Sequence, residues 1–284
     1  PTTFPPLNTD KTVNSLVVNV ANTTTWAMTN KLTLLSGQLI SGIPNNSLNI
    51  SAGTLTAGSG SDASLDVSVF QNTTAIRARI EDNGTGKVRV VKNGGGTLNL
   101  DAAVDNTYSG GTFVNDGPLT TGGAANRRYL GMGPVRVDAA QLTLGQVGAT
   151  ANDSGYDYTA VNGAQIGVAT VAYTADDTFN IESGSVIYGG SGLGLGLNSL
   201  DRGIGVPGAT PNITLAPDAI VAHSQGLASP LTGTNTIRNL GSNADLYYGL
   251  VSDQSYAAGS ITVGSNTAFK GLCSDRYDRR WGAG

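Results

Sequence analysis

Few side chains in this chain can do chemistry, and their spacing suits catalysis poorly. One histidine, His223, sits in IVAHSQG, and one cysteine, Cys273, lies near the C-terminal end. An imidazole with an ordinary pKa of about 6.5 can act as a base. A Ser-His-Asp relay also needs an activated serine, and no Gly-x-Ser-x-Gly elbow is present. Gly189-Gly190-Ser191-Gly192 comes nearest and supplies flexibility rather than a strained turn, so His223 reads as a turn or surface residue. The single cysteine excludes an intrachain disulfide framework and any Cys-rich zinc site.

Carboxylates offer more, because paired Asp residues can hold calcium or act as an acid and base on a sugar. The candidates are Asp176-Asp177, Asp153 with Asp157, and Asp275 with Asp278. Neighbouring strand residues point to opposite faces, which separates Asp176 from Asp177 unless they lie in a loop. These pairs read as solvated turns. The stretch GLGLGLNSLDRGIGVPG (192–208) lacks the Lys-Ser/Thr of a phosphate-binding loop and reads as a loop or corner of small residues. Calcium-filled solenoids repeat Gly-Gly-x-Gly-x-Asp, which this chain does not. No cofactor is expected, and structural calcium at scattered Asp and Asn turns stays open.

The elements that would position such residues are strands. Charged residues make up 13% of the 284, about half the usual share, and the 40 glycines are roughly double it. Short alternating runs recur: NSLVVNV (14–20), KLTLL (31–35), NSLNI (46–50), GTLTA (53–57), GTLNL (96–100), QLTLG (141–145), NITLA (211–215) and SITVG (260–264). Period-two alternation puts the apolar pair on one face of a strand. Asn-Gly and Asp-Gly pairs between them supply the positive φ of tight turns. Only DAIVAHSQGLA (218–228) suggests a helical turn or two. A hairpin sandwich or barrel and a β-solenoid both fit the pattern. Forty glycines for corners, Asn and Thr for ladders, and few aromatics favour the solenoid, with coils of about 20–25 residues.

A net charge of −4 argues against a nucleic-acid partner, which needs clustered Lys and Arg. Arg77, Arg79, Lys87, Arg89 and Lys92 alternate with apolar residues and read as a solvent-facing strand edge or face. No apolar run approaches the roughly 18 residues of a membrane helix. The chain opens on Pro1 rather than Met, and a processed product or a piece of something longer is the expectation.

GGGTLNLDAAVDNTYSGGTFVNDGPL (94–119), preceded by IEDNGTGKVRVVKN, resembles the autotransporter-associated β-strand repeat, also called the passenger-associated transport repeat. The resemblance rests on Lys92, Gly96 to Leu100, Asn106 to Thr112, and Asn115, Gly117 and Leu119, with GMGPVRVDAAQLTLG (131–145) as its continuation. It is clear over residues 80–145 and weaker over 13–80; Phe113 and Pro118 depart from the usual residues. It implies a right-handed parallel β-helix in an exported, surface-displayed or secreted protein, and no particular activity. The Gly-His-Gly motif of polygalacturonases, which share that fold, is missing.

The expected organisation is an extended arm or linker at 1–12, a β-helix with the repeat at 13–145, a continued solenoid at 146–268, and a capping or docking tail at 269–284. The tail differs sharply from the rest, gathering Arg276, Tyr277, Arg279, Arg280 and Trp281 beside Asp275 and Asp278. Arg and aromatic residues dominate interface hot spots, which makes these five the candidate interaction residues. The expected function is a non-enzymatic structural or adhesive rod at a bacterial cell surface. It would self-associate or bind a surface glycan or a neighbouring surface protein. A glycan-binding or glycan-cleaving β-helix and a phage fibre module are the alternatives.

Overall fold

The computed structural model describes residues 4, 6–19, 22–42, 47–122, 127–145, 156–168, 178–182 and 184–189, and the strand backbones at 212–215, 220–223, 245–248 and 268–271. Among the described residues the fold is all-β, with no helix. No helix is long and apolar enough to cross a membrane.

The alternating runs form strands that stack side by side into three sheets, and every pairing between strands is parallel. The first sheet holds β1 (Lys11–Val13), β4 (Lys31–Leu34), β7 (Thr54–Ala57) and β10 (Arg79–Ile80). The second holds β2 (Leu16–Val18), β5 (Gln38–Ser41), β8 (Ala63–Val69), β11 (Val88–Asn93), β13 (Thr112–Val114), β15 (Val135–Asp138), β17 (Asp157–Val161), β19 (Thr178–Ile181) and β21 (Asn212–Leu215). The third holds β3 (Thr24–Ala27), β6 (Leu48–Ser51), β9 (Thr73–Ile76), β12 (Thr97–Leu100), β14 (Pro118–Thr121), β16 (Gln141–Leu144), β18 (Gln165–Val168), β20 (Val186–Gly189), β22 (Ile220–His223), β23 (Asp245–Tyr248) and β24 (Ala268–Gly271).

From β1 to β22 successive strands along the chain enter different sheets, and each sheet joins strands one coil apart. That is a parallel β-solenoid. Leu98 lies beside Leu119, and Leu119 beside Leu142, so like residues stack up the interior. Residues 96–100 pair with parallel neighbours on both sides, which excludes the hairpin sandwich. The segment 218–228 is not helical at its centre: Ile220–His223 is a strand paired in parallel with β20 and β23. Its neighbours offer ladder hydrogen bonds to β-branched Ile220 and Val221, and that outweighs a weak local helical tendency.

Alternation decides burial. In β12, Leu98 and Leu100 are buried while Thr97 and Asn99 are half-buried on the outside, and β4, β14 and β16 repeat the pattern. Corners between the second and third sheets turn through left-handed residues: Asn72, Gly94, Gly117, Ala139 and Asn162 on successive coils. Gly117 is required there, since a Cβ would lie 2.5 Å from the Gly94 carbonyl oxygen of the coil below. At the N-terminal end Leu7 bridges Met28 and is buried, and Phe4 packs on Trp26 with ring centroids 5.4 Å apart.

Candidate functional site

The most elaborate chemistry lies in the coil that starts with β11, where polar side chains enter the interior. Two inward columns run up the second sheet. One passes through Val67, Lys92, Val114 and Val137, the other through Leu65, Val90, Thr112 and Val135. Lys92 and Thr112 interrupt otherwise aliphatic ladders, and both are fully buried.

Lys92 was expected on a solvent-facing strand face; it is instead enclosed. In VRVVK it shares its side of the strand with Val88 and Val90. Its ammonium reaches the corner and donates to the carbonyls of Asn93 (3.2 Å), Gly94 and Asp116 (2.8 Å). Three carbonyls match three N–H donors, and they belong to the corners of two successive coils. Burial lowers the Lys92 pKa to about 8, opposed by the nearby Asp116 carboxylate. The other basic positions behave as expected at Arg89, which is exposed and donates to Ser64 Oγ at 2.6 Å.

Asn106 fills the third side of this coil, where no named strand follows β10. Its Oδ1 accepts the Ile80 N–H at 2.8 Å, its Nδ2 donates to the Tyr129 carbonyl at 2.7 Å, and its backbone N–H donates to Arg128. One buried amide thus continues the hydrogen bonding of a missing strand across three coils. Thr112 Oγ1 donates to the Leu130 carbonyl at 3.0 Å, so Tyr108, 2.6 Å away, must be the donor to Thr112. Burial pushes the Tyr108 phenol well above its ordinary range. Gly131 closes over that ring: a Cβ there would lie 2.4 Å from the Tyr108 carbonyl oxygen and 2.6 Å from its ring. Asp82 ties the corner before β11 by accepting from the N–H groups of Val88 and Ser109 and from Ser109 Oγ.

This arrangement builds a rigid coil; it does not assemble a nucleophile with a base. Residues 90–120, the stretch that holds Lys92, Asn106, Tyr108 and Thr112, match the family described as Passenger-associated-transport-repeat. The autotransporter-associated repeat is present. The repeat and the solenoid together fit a passenger-like protein of the cell surface or secreted fraction, and the repeat is of a kind associated with non-catalytic repeat proteins. The chain matches no curated protein and no solved structure.

Within the repeat, Phe113 and Pro118 both occupy outward positions, where the interior imposes no shape. Pro118 is the first residue of its strand, a place where a missing N–H is tolerated. Asp157 is exposed at the start of β17, while Asp153, Asp176, Asp177, Asp275 and Asp278 lie outside the described residues. So do Arg276, Tyr277, Arg279, Arg280 and Trp281. His223 ends β22, of which only the backbone is described. Among the described residues no three His, Cys, Asp or Glu side chains gather as metal ligands. The inward role of Lys92 had a signal in the sequence, its parity with Val88 and Val90. The roles of Asn106 and Asp82 had none, because Ile80 and Tyr129 for the one and Ser109 for the other lie one coil away.

Proposed function

We propose that the chain is a non-enzymatic structural or adhesive rod, displayed on or shed from a bacterial cell surface and able to self-associate into fibres or a coat. The observation that carries this reading is that the transport-associated repeat is an internal coil. Its strands β11, β12, β13 and β14 are each paired on both sides, so the repeat is part of the solenoid body rather than an appendage. A rod whose backbone hydrogen bonds run along its axis, from coil to coil, has mechanical stiffness. Among the described residues the outer edges of β1 and β2 carry no partner strand, and an open parallel edge is a template for another chain. The tail residues Arg276, Tyr277, Arg279, Arg280 and Trp281 supply the proposed side contact.

Two measurements test the reading together. Protease treatment of intact cells should remove the protein without lysis, and negative-stain images of native material should show filaments or sheets. Protection inside intact cells overturns surface display; monodisperse single rods at high concentration overturn self-association. Reducing-sugar release from acidic polysaccharides would replace the rod with a glycan-cleaving enzyme.

A further inference from the structure

The chain contains three Asn-Gly pairs, Asn83-Gly84, Asn93-Gly94 and Asn162-Gly163. Such a pair is open to one spontaneous reaction. The Gly nitrogen attacks the Asn side-chain carbonyl carbon, ammonia leaves, and the resulting succinimide takes up water to give aspartate or isoaspartate. Glycine suits the ring closure because no Cβ obstructs the attacking nitrogen. The rate then depends on the groups around each pair, and here they differ. At Asn93-Gly94 the polar contacts all favour attack. The backbone carbonyl of Asn93 shares its peptide group with the attacking Gly94 nitrogen, and it accepts the Lys92 ammonium at 3.2 Å. A charged donor on that oxygen draws electrons from the peptide and eases loss of the Gly94 proton. The Asn93 Oδ1, where negative charge builds as the nitrogen adds, accepts from Asn115 Nδ2 at 3.2 Å, as a donor stabilises an oxyanion. Among the described residues no backbone carbonyl accepts the Gly94 N–H. Asn93 ends β11 half-buried on its outer side, where water can open the ring.

The other two pairs are wired the opposite way. Asn83 Nδ2 donates to the Gly58 carbonyl at 2.7 Å, and Asn162 Nδ2 donates to the Asp138 carboxylate at 2.6 Å. An NH2 group that donates feeds electrons into its own amide. The carbon becomes less electrophilic and the nitrogen a poorer leaving group. We propose that Asn93 is a self-modification site, converted through a succinimide to aspartate and isoaspartate in the folded rod, with Lys92 and Asn115 as the groups that promote it. The Gly94 N–Cγ bond forms and the Cγ–Nδ2 bond breaks. The Gly94 proton passes to solvent, the departing nitrogen takes a proton from water, and a second water opens the ring. Lys92 sits on the former main-chain carbonyl and directs water there, which makes isoaspartate the main product. Its new carboxylate then faces the Lys92 ammonium, while the backbone at this corner runs through the former side chain. Each event adds one negative charge to a chain of net charge −4. The inference requires neither surface display nor self-association.

The test is incubation of the purified full chain in neutral buffer, folded and in concentrated urea. Peptide mass mapping follows the change from amide to acid at each pair. In urea the three pairs should convert at similar rates. In the folded protein Asn93 should convert about fivefold faster than Asn83 and Asn162, or more, with isoaspartate as the main product. Asn115→Ala, at an exposed position where the fold is insensitive, should slow Asn93 several-fold in the folded protein and leave its rate in urea unchanged. Three results overturn the proposal: Asn93 keeping its amide in the folded protein while converting in urea, folded Asn93 converting no faster than the other two, or a folded rate indifferent to Asn115→Ala.

Discussion

The second and third sheets share one interior and differ outside. Inward, both stack aliphatic residues: Val67, Val114 and Val137 on one, Leu98, Leu119 and Leu142 on the other. Outward, the second presents Arg89, Arg136, Asp138 and Asp157, while the third presents Thr and Asn. The interior is narrow and dry, so it accepts the same residue types from every strand. Water accepts any polar residue, so the outer faces are free to diverge.

Several substitutions would break or sharpen that contrast. The largest effect comes from the inside, where the sheets should be equivalent. Val90→Asp on the second sheet and Leu98→Asp on the third, both fully buried, should each cost about 4 kcal/mol or more and abolish cooperative thermal unfolding. A mild effect at either position would mean that the shared interior is not what holds the coil.

Lys92 lies where the two faces meet. Lys92→Met leaves three corner carbonyls unpaired and should cost about 2–3 kcal/mol in urea denaturation. The folded-state pKa of about 8 lies below the unfolded value near 10.5, so between these limits the unfolded chain binds the extra proton. Stability contributed through Lys92 should therefore rise as pH increases from 8 towards 10, and the Met variant should lose that slope. Above pH 10 the raised Tyr108 pKa acts in the opposite sense, because the unfolded phenol then ionises first.

Gly117→Ala, at φ 63, should cost about 1–2 kcal/mol by strain and by contact with the Gly94 carbonyl, read as a lower melting temperature. The smallest effects belong to the outer faces. Arg136→Ala removes an exposed ion pair with Asp138, whose carboxyl is held below the usual range first by the Asn162 amide and then by Arg136. It should cost no more than about 1 kcal/mol, and Thr120→Ala should fall within about 0.5 kcal/mol. A larger stability loss at Thr120 than at Arg136 would mean that the third face contributes more to the fold than the second.

Much of this was legible in the sequence. Period two in KLTLL, GTLTA, GTLNL, QLTLG and NITLA marks strands that are present at β4, β7, β12, β16 and β21. Gly94 and Gly117 mark the corner because few residues tolerate positive φ, whereas Asn72, Ala139 and Asn162 turn the same corner on other coils. The polar core of the repeat was not legible: Asn106 reads as a turn residue until Ile80 and Tyr129 are placed above and below it. DAIVAHSQGLA misled for the same reason, since its strand character comes from neighbours one coil away on each side.

The sequence by itself determined which side of each strand is apolar and where the chain must turn, because alternation and backbone sterics act between residues close along the chain. Only the tertiary structure decided that the strands stack in parallel, that Lys92 caps two corners from within, and that Asn and Thr residues from five coils line up on one face. Those facts depend on which residue lies one coil away, and the spacing of coils varies with every loop between them.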